Sequence, residues 1–257
     1  MKAPPRTGKS SNPSTPPGTV EKLLKELRSL GSEKDRQGMA RYGINVEHAF
    51  GVSVYVLRRI AKRIGRDHEL AGKLWATGNH EARLLACFVD DPAQVTESQL
   101  EAWALDFDSW DLCDQATTSL FDQSKFAWSK AKEWTKREEE WVRRGGFALL
   151  AGLAVHDKSA TNRAFLGLLP AIERGAFDER NFVKKAVNWA LRNIGKRNRE
   201  LNAAAIARAE KILAAANQRA GGERGGDAAA RSARWVTKDA LSELTSDKVQ
   251  ARLAKGK

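Results

Sequence analysis

The sequence predicts an all-α protein. Apolar residues recur at intervals of three and four along most of the 257 residues, which is the spacing that gives a helix one buried face. Segments that alternate apolar and polar residues, as half-buried strands do, are nearly absent. Gly, Asp, Asn and Pro interrupt the helical patterns at short intervals and mark the turns between helices.

The helical patterns are many, short and closely linked. In chain order they predict helices over roughly 19–30, 34–42, 53–64, 67–76, 80–90, 96–105, 109–120, 124–132, 137–155, 159–173, 180–195 and 199–217, with a further helix after Trp235. Most are too short to bury a face alone. They suit stacked antiparallel pairs of the HEAT type, which form a solenoid with a concave, here basic, face. A compact irregular bundle is the competing fold.

Composition divides the chain into three parts. The opening "MKAPPRTGKSSNPSTPPG" has no apolar stretch that could act as a secretory signal, so residues 1–18 are expected to form a disordered tail. Residues 19–217 form the helical-repeat domain. The segment "NQRAGGERGGDAAARSA" (217–233) is rich in Gly, Ala and charge, which predicts a flexible connector to a short C-terminal helical element within 218–257.

Charge and composition narrow the class of partner. The 44 basic and 32 acidic residues give a formal charge of +12, which favours a polyanion such as nucleic acid over a merely solvated basic surface. No apolar run reaches the roughly 18 residues that span a bilayer, so no membrane partner is expected. Cys87 and Cys113 are too few for a disulfide framework, which fits a reducing, cytoplasmic compartment. The protein is expected to be a monomer.

Sequence signals for cofactor chemistry are missing. The chain has no phosphate-binding Gly loop with its Lys, no Rossmann fingerprint, and no His or Cys cluster at metal-ligand spacing. The four histidines are scattered, and His80 beside Glu81 is interpreted as a helix-start residue. We therefore expect no cofactor and no metal.

The segment "KKAVNWALRNIGKRN" (184–198) predicts a helix with one basic face. Lys184, Asn188, Arg192 and Lys196 follow at intervals of four, with Lys185 and Trp189 on the flank. Residues 183–199 contain six basic residues and no acidic one. Such a face is usually balanced by acids at i±4, and a phosphate backbone is a partner that favours their absence. Trp189, taken alone, is interpreted as a packing residue, because most indoles in proteins are packed.

Two further segments combine aromatic and charged residues. In "LDFDSWDLCDQA" (105–116), Trp110 and Asp114 lie four apart and share a helical face. Capping by Asp108 or Ser109 would explain the start of this helix, with Trp110 packed inward, but does not explain Asp114.

The segment "EEEWVRRGGFALLAGLA" (138–154) begins charged and turns apolar, so Arg143 and Arg144 stand at the entry of a buried helix. Gly145 and Gly146 would permit close backbone approach, either to a neighbouring helix or to a phosphate.

With these motifs in order, residues 34–200 resemble the AlkD family of DNA alkylation-repair glycosylases. The resemblance rests on "GMARYG" (38–43), "FGVSVYVLRR" (50–59), "KLW" with "EARLLA" (73–86), "SWDLCD" (109–114), "EWVRRGGFALL" (140–150) and "FVKKAVNWALRNIGKRN" (182–198). It implies a HEAT-like protein, associated with the nucleoid, that excises cationic N3- or N7-alkylated purines from duplex DNA without drawing the base into a deep pocket.

The resemblance also implies the site residues. Asp114 would stabilise the sugar cation and orient water, Trp110 and Trp189 would present π faces to the cationic nucleotide, and Arg144 would hold a phosphate. The other expected DNA contacts are Tyr42, Arg143, Lys184, Lys185, Arg192 and Lys196. Tyr42 could equally be a core residue.

One departure from the family pattern, and the family's own diversity, keep a second function open. Tyr55 stands where the family often has Pro, and some relatives keep the fold without detectable excision. A non-catalytic protein that binds damaged or branched DNA is therefore the alternative to the enzyme, and a protein-binding repeat scaffold is a third class.

Overall fold

The structure is a computed structural model that describes residues 18–220 and 227–255. The helices are, in chain order, α1 (Thr19–Leu30), α2 (Glu33–Arg41), α3 (Val54–Ile64), α4 (His68–Trp75), α5 (His80–Val89), α6 (Glu97–Leu105), α7 (Trp110–Ser119), a 3-10 turn (Phe121–Gln123), α8 (Ala127–Trp134), α9 (Glu140–His156), α10 (Asn162–Leu166), α11 (Leu169–Gly175), α12 (Asn181–Gly195), α13 (Arg199–Ala220), α14 (Ala228–Leu244) and α15 (Asp247–Ala254). The described residues contain no strand, which confirms the all-α prediction. None of their helices is both long and apolar enough to cross a bilayer.

The predicted helix over 159–173 is wrong as a single element. The structure has two short helices there, α10 and α11, separated at Gly167 and Leu168. Pro170 explains the break, because in the interior of a continuous helix it would remove one backbone hydrogen bond and clash with the carbonyl four residues earlier. In the first turn of α11 the same proline is tolerated.

The prediction of a connector over 217–233 is also wrong where the structure describes it. Helix α13 continues to Ala220, and α14 begins at Ala228, with Asp227 accepting a hydrogen bond from the Ala230 amide as its N-cap. The alanines that were interpreted as linker composition are good helix formers, and two of them, Ala230 and Ala233, are buried. Residues 221–226 and the expected tail, apart from Gly18, lie outside the described residues.

Contacts divide the chain into two compact units. The first unit comprises 18–38 and 46–91, and the second comprises 39–45 and the residues from 92 onward. Residues on both sides of the expected boundary at 217–218 therefore belong to the second unit.

Within the first unit, the turn before α3 is held by a buried carboxylate. Glu81 is fully buried and accepts the backbone N–H groups of Phe50, Gly51 and Val52 at 2.7–3.1 Å. Leu57 of α3 is also fully buried in this unit. Three hydrogen bonds to one carboxylate compensate for its burial and set the position from which α3 begins.

In the second unit, helices α7, α9 and α12 lie side by side and run parallel. Arg144, near the start of α9, contacts the Phe182 carbonyl near the start of α12, and the Ala154 carbonyl at the end of α9 contacts Arg197 just after α12. Helices α7 and α9 are parallel for the same reason: Asp114 contacts Arg144, and Thr118, one turn farther along α7, lies beside Gly152, two turns farther along α9.

Helix α14 continues this layer, and the other helices supply the return segments. Asn188 of α12 donates to the Val236 carbonyl of α14, and Lys196 farther on contacts Glu243, so these two helices are also parallel. Because α13 joins α12 to α14, it must return in the opposite direction. Parallel equivalent helices with antiparallel returns are the packing that stacked helical repeats produce.

The paired glycines of α9 permit contact with a neighbouring helix rather than with a ligand. A Cβ atom on Gly146 would lie 2.5 Å from the Thr135 nitrogen and 2.7 Å from the Trp134 carbonyl carbon, at the end of α8. Of the two alternatives left open by the sequence, the structure selects close helix packing.

Candidate functional site

The centre of the candidate site is an ion pair between α7 and α9. Arg144 donates from Nε to Oδ1 of Asp114 at 3.0 Å and from Nη2 to Oδ2 at 2.7 Å. Their side chains are only 6% and 14% exposed, respectively. A planar guanidinium facing a carboxylate through two hydrogen bonds fixes the orientation of both groups.

A third helix joins this pair through its backbone. Arg144 donates from Nη1 to the Phe182 carbonyl of α12 at 2.6 Å. Three of the five guanidinium N–H groups are therefore occupied, and the other two have no hydrogen-bond partner among the described residues. The phosphate contact expected of Arg144 stays a prediction, and the structure adds that its main partner is Asp114.

Phe182 and Trp141 form an aromatic pair beside the ion pair, with ring centroids 5.0 Å apart. Phe182 was missed as a site residue. The sequence held a signal for it, because positions 182, 185 and 189 follow the i, i+3, i+7 spacing of a single helical face. That face places Phe182 with Lys185 and Trp189.

Trp110 is held by the short segment that directly follows α2. Its indole Nε1 donates to the Tyr42 carbonyl at 2.9 Å, and Asn45 donates to the Asp108 carboxylate at 3.0 Å. Gly43 has φ +76°, and a Cβ there would lie 3.0 Å from the Phe182 ring. The turn therefore lies between Trp110 and Phe182, in a backbone conformation that favours glycine.

The exposure of these aromatic side chains shows whether each of them lies in the core or at the surface. Tyr42 is 76% exposed, which rules out the core alternative for its side chain. Trp110 is half-buried, and Ser109 at the N-cap position of α7 makes no side-chain capping bond. The capping explanation for this segment is therefore wrong for Ser109.

Trp189 is also half-buried. Within the described residues its indole has no hydrogen-bond partner and makes no ring contact. Trp189 is thus not enclosed in the core, although its contact with DNA stays a prediction. Lys185, on the same helical face, is exposed and lies 5.9 Å from the Phe182 ring centroid.

The basic face of α12 packs against α14, which corrects the charge argument made from the sequence. Arg192 and Lys196 bind the Glu243 carboxylate at 2.6 and 2.7 Å. Asn188 is buried, and Lys184 lies 5.6 Å from the Trp235 ring centroid. The counter-charge is supplied about 50 residues later in the chain, where a search at i±4 could not find it. The DNA contacts of Lys184, Arg192 and Lys196 stay predictions without that support.

Arg143 is engaged in a separate cluster. Its Nη1 lies 2.9 Å from Oδ2 of Asp178 and its Nη2 lies 3.1 Å from Oε1 of Glu138. The Arg143 side chain is 20% exposed. A phosphate would therefore have to compete with two carboxylates for this guanidinium, and its DNA contact stays a prediction.

The electrostatics of the site centre on Asp114. Burial raises the pKa of the Asp114 carboxyl above its ordinary value of 3.8, and the charge and hydrogen bonds of Arg144 oppose that rise. The neighbouring Cys113 is fully buried, and burial likewise raises the pKa of its thiol, so it is an inert packing residue. In the described residues no group of three or more His, Cys, Asp or Glu side chains could hold a metal ion.

Fold and site together define a helical-repeat protein with a largely buried carboxylate–guanidinium pair and, on the same helices and the turn after α2, exposed and half-buried aromatic side chains. The sequence model of one family, described as "DNA alkylation repair enzyme", matches residues 23–244. The chain belongs to this DNA alkylation repair enzyme family, which confirms the family resemblance seen in the sequence. No curated protein matches the chain at a significant level.

Similarity to solved structures confirms the HEAT-like fold. One similar structure is described as "A new family of proteins related to the HEAT-like repeat DNA glycosylases with affinity for branched DNA structures"; it has 24% identity and a TM-score of 0.68 and covers 75% of this chain and 83% of its own. A designed armadillo repeat protein in complex with a (KR)4 peptide has 14% identity and a TM-score of 0.29, covering 90% and 96%. That second similarity is too low to carry an argument.

Proposed function

We propose that this protein is a DNA glycosylase that excises positively charged N3- or N7-alkylated purines from duplex DNA, acting as a monomer without metal or cofactor. The observation that carries the proposal is the Asp114–Arg144 pair, held by two hydrogen bonds beside Trp110. Membership of the DNA alkylation repair enzyme family supports it.

The reaction needs a fixed negative charge. Alkylation makes the purine cationic and weakens its glycosidic bond, so the base leaves as a neutral molecule and positive charge develops on the sugar. Asp114 would stabilise that charge and orient the attacking water. Each of its oxygens accepts one hydrogen bond from Arg144, which leaves lone pairs on both for water.

The aromatic side chains would supply selectivity for charge. An indole face attracts a cation by about 0.5–2 kcal/mol, and that attraction is absent for a neutral purine. The hydrogen bond to the Tyr42 carbonyl fixes the orientation of the Trp110 ring, and Trp189 lies on α12, which is separated from the Trp110 helix by α9 in the parallel layer. Because surface indoles, rather than an enclosed pocket, would contact the nucleotide, the alkylated base could remain in the duplex.

The alternative is a non-catalytic protein that binds damaged or branched DNA. One observation favours it: both oxygens of Asp114 already bind Arg144, so the carboxylate is partly neutralised before any substrate arrives. The similar structure of a protein described as having affinity for branched DNA is in keeping with this alternative.

The experiment that tests the proposal uses duplex DNA carrying a single N7-methylguanine. After incubation with the protein, alkali cleaves any abasic site, and a strand break at the lesion is expected above the rate without protein. An unmodified duplex is the control. No break at saturating protein, combined with tighter binding to a four-way junction than to a duplex, would instead establish the alternative.

A matched pair of substitutions tests which face of α12 contacts DNA. Lys185→Gln is expected to reduce the slope of log K against log salt by about 0.9, the value for one phosphate contact. Arg192→Gln is expected to reduce the slope less than Lys185→Gln does, because Glu243 and Asp239 both lie within ion-pair distance of Arg192. Fluorescence anisotropy at several salt concentrations measures both. Equal losses in the two variants would show that Arg192 exchanges Glu243 for a phosphate.

A further inference from the structure

A basic groove lies at the other end of the parallel layer from the candidate site. It has a volume of about 590 Å³ and is formed by the ends of α9 and α12 together with α15. Its polar lining consists of Lys158, Asn193, Lys196, Arg197, Asn198 and Arg252. No carboxylate belongs to the described lining. We call it the Lys158 groove.

Two of the four cations of this groove are held in place. Arg197 donates from Nη1 to the Ala154 carbonyl at 2.7 Å and lies 4.4 Å from the Phe165 ring centroid. Arg252 donates to the Lys196 carbonyl at 2.7 Å. Because these guanidiniums are already positioned, binding an anion would cost them little conformational entropy.

Capping of helix ends accounts for only part of this charge. Ala154 and Lys196 lie at the C-terminal ends of α9 and α12, where basic side chains neutralise a partial charge of about −0.5 per helix. Glu243, which is shared between Lys196 and Arg192, supplies at most one negative charge, and Asp157 adds another near Arg197. Four cations against at most about three negative charges leave an excess of at least about one positive charge.

Two of the four cations carry most of that excess. Within the described part of the chain, neither Lys158 nor Arg252 forms an ion pair, and Lys158 is exposed. Burial lowers the pKa of Arg197, so its charge is incompletely solvated and would gain from a bound anion.

We infer that the Lys158 groove binds phosphodiesters of the DNA backbone, at a distance from the lesion. The inference depends on the proposed function only in taking DNA as the ligand. Ten residues of α9 separate Arg144 from Ala154, which is about 15 Å at 1.5 Å per residue. For a duplex whose axis runs along α9, at about 3.4 Å per phosphate along one strand, this distance corresponds to roughly four base pairs.

The first test is the double variant Lys158→Glu/Arg252→Glu, compared with Lys132→Glu, an exposed lysine of α8 outside the groove. The double variant should lower the salt slope of duplex binding by about two units and weaken binding roughly 10- to 100-fold at 0.1 M salt. Thermal melting confirms that both variants are folded. A double variant that matches Lys132→Glu would overturn the inference.

The second test locates the contact on the DNA. Single uncharged methylphosphonate linkages are placed at successive positions in a duplex carrying N7-methylguanine. Affinity of the natural chain should fall at a linkage about four base pairs from the lesion, and the double variant should lose that sensitivity. Sensitivity of both proteins at the same linkages, or a groove that binds only an acidic peptide, would also overturn the inference.

Failure of the groove and failure of the proposed glycosylase give different results. Excision is measured in a single turnover at saturating protein, where weaker binding does not limit the rate. If the natural protein excises the lesion and the double variant has an unchanged salt slope, only the groove inference is excluded. If the natural protein does not excise the lesion but the double variant loses slope as expected, the glycosylase proposal is excluded and the groove stays a DNA contact.

Discussion

Asp114→Asn is expected to slow excision of N7-methylguanine by about 100- to 1000-fold, the usual cost of removing one group that stabilises transition-state charge. The amide keeps the shape of the side chain and one acceptor for Arg144, so the protein should remain folded and should still bind DNA. Single-turnover kinetics at saturating protein measure the effect. Full activity of this variant would exclude Asp114 as the catalytic carboxylate.

Asp108→Asn provides the matched control. It removes the same charge six residues earlier, from a carboxylate that binds Asn45 and does not contact Arg144, and it should leave excision nearly unchanged.

The pH profile gives a second readout of Asp114. Because burial raises the pKa of Asp114, its ionised form and the excision that needs it should be lost on acidification with a midpoint above 3.8. The Asn variant should lack that transition.

Arg144→Ala is expected to lower the free energy of unfolding by about 3–5 kcal/mol, because it leaves the Asp114 carboxylate buried without its partner. Urea denaturation measures the change. The neighbouring Arg143→Ala is the comparison; its ion pairs are more exposed, so a smaller loss is expected.

A double-mutant cycle separates the ion pair from other losses. If the pair is the cause, adding Asp114→Asn to Arg144→Ala should restore part of the lost stability, since the buried charge is then removed. Purely additive losses would assign the effect to lost packing of the arginine stem instead.

Local patterns in the sequence predicted much of the fold and part of the site. Helical periodicity gave most helices, and the four-residue spacing of Trp110 and Asp114 placed them on one face of α7. These properties depend on neighbours within a turn or two, which the sequence displays directly.

The partners of these residues could not be predicted in the same way. Asp114 and Arg144 are 30 residues apart, and Arg192 meets a carboxylate 51 residues later. A helical pattern tells which residues share a face but not which helix covers it. For the same reason, the start of α14 was interpreted as linker and the basic face of α12 as open to DNA.

The parallel order of α7, α9 and α12 makes the candidate site a property of three consecutive repeats. In stacked-repeat proteins each interface with the next repeat adds its own stabilisation, and local unfolding can begin at either end. Arg144 contacts the repeats on both sides of its own, so local unfolding at either interface disrupts the site before the whole chain unfolds. The amide protons of these three helices should therefore exchange with solvent as one cooperative group, and activity should disappear on heating together with that group rather than with global melting.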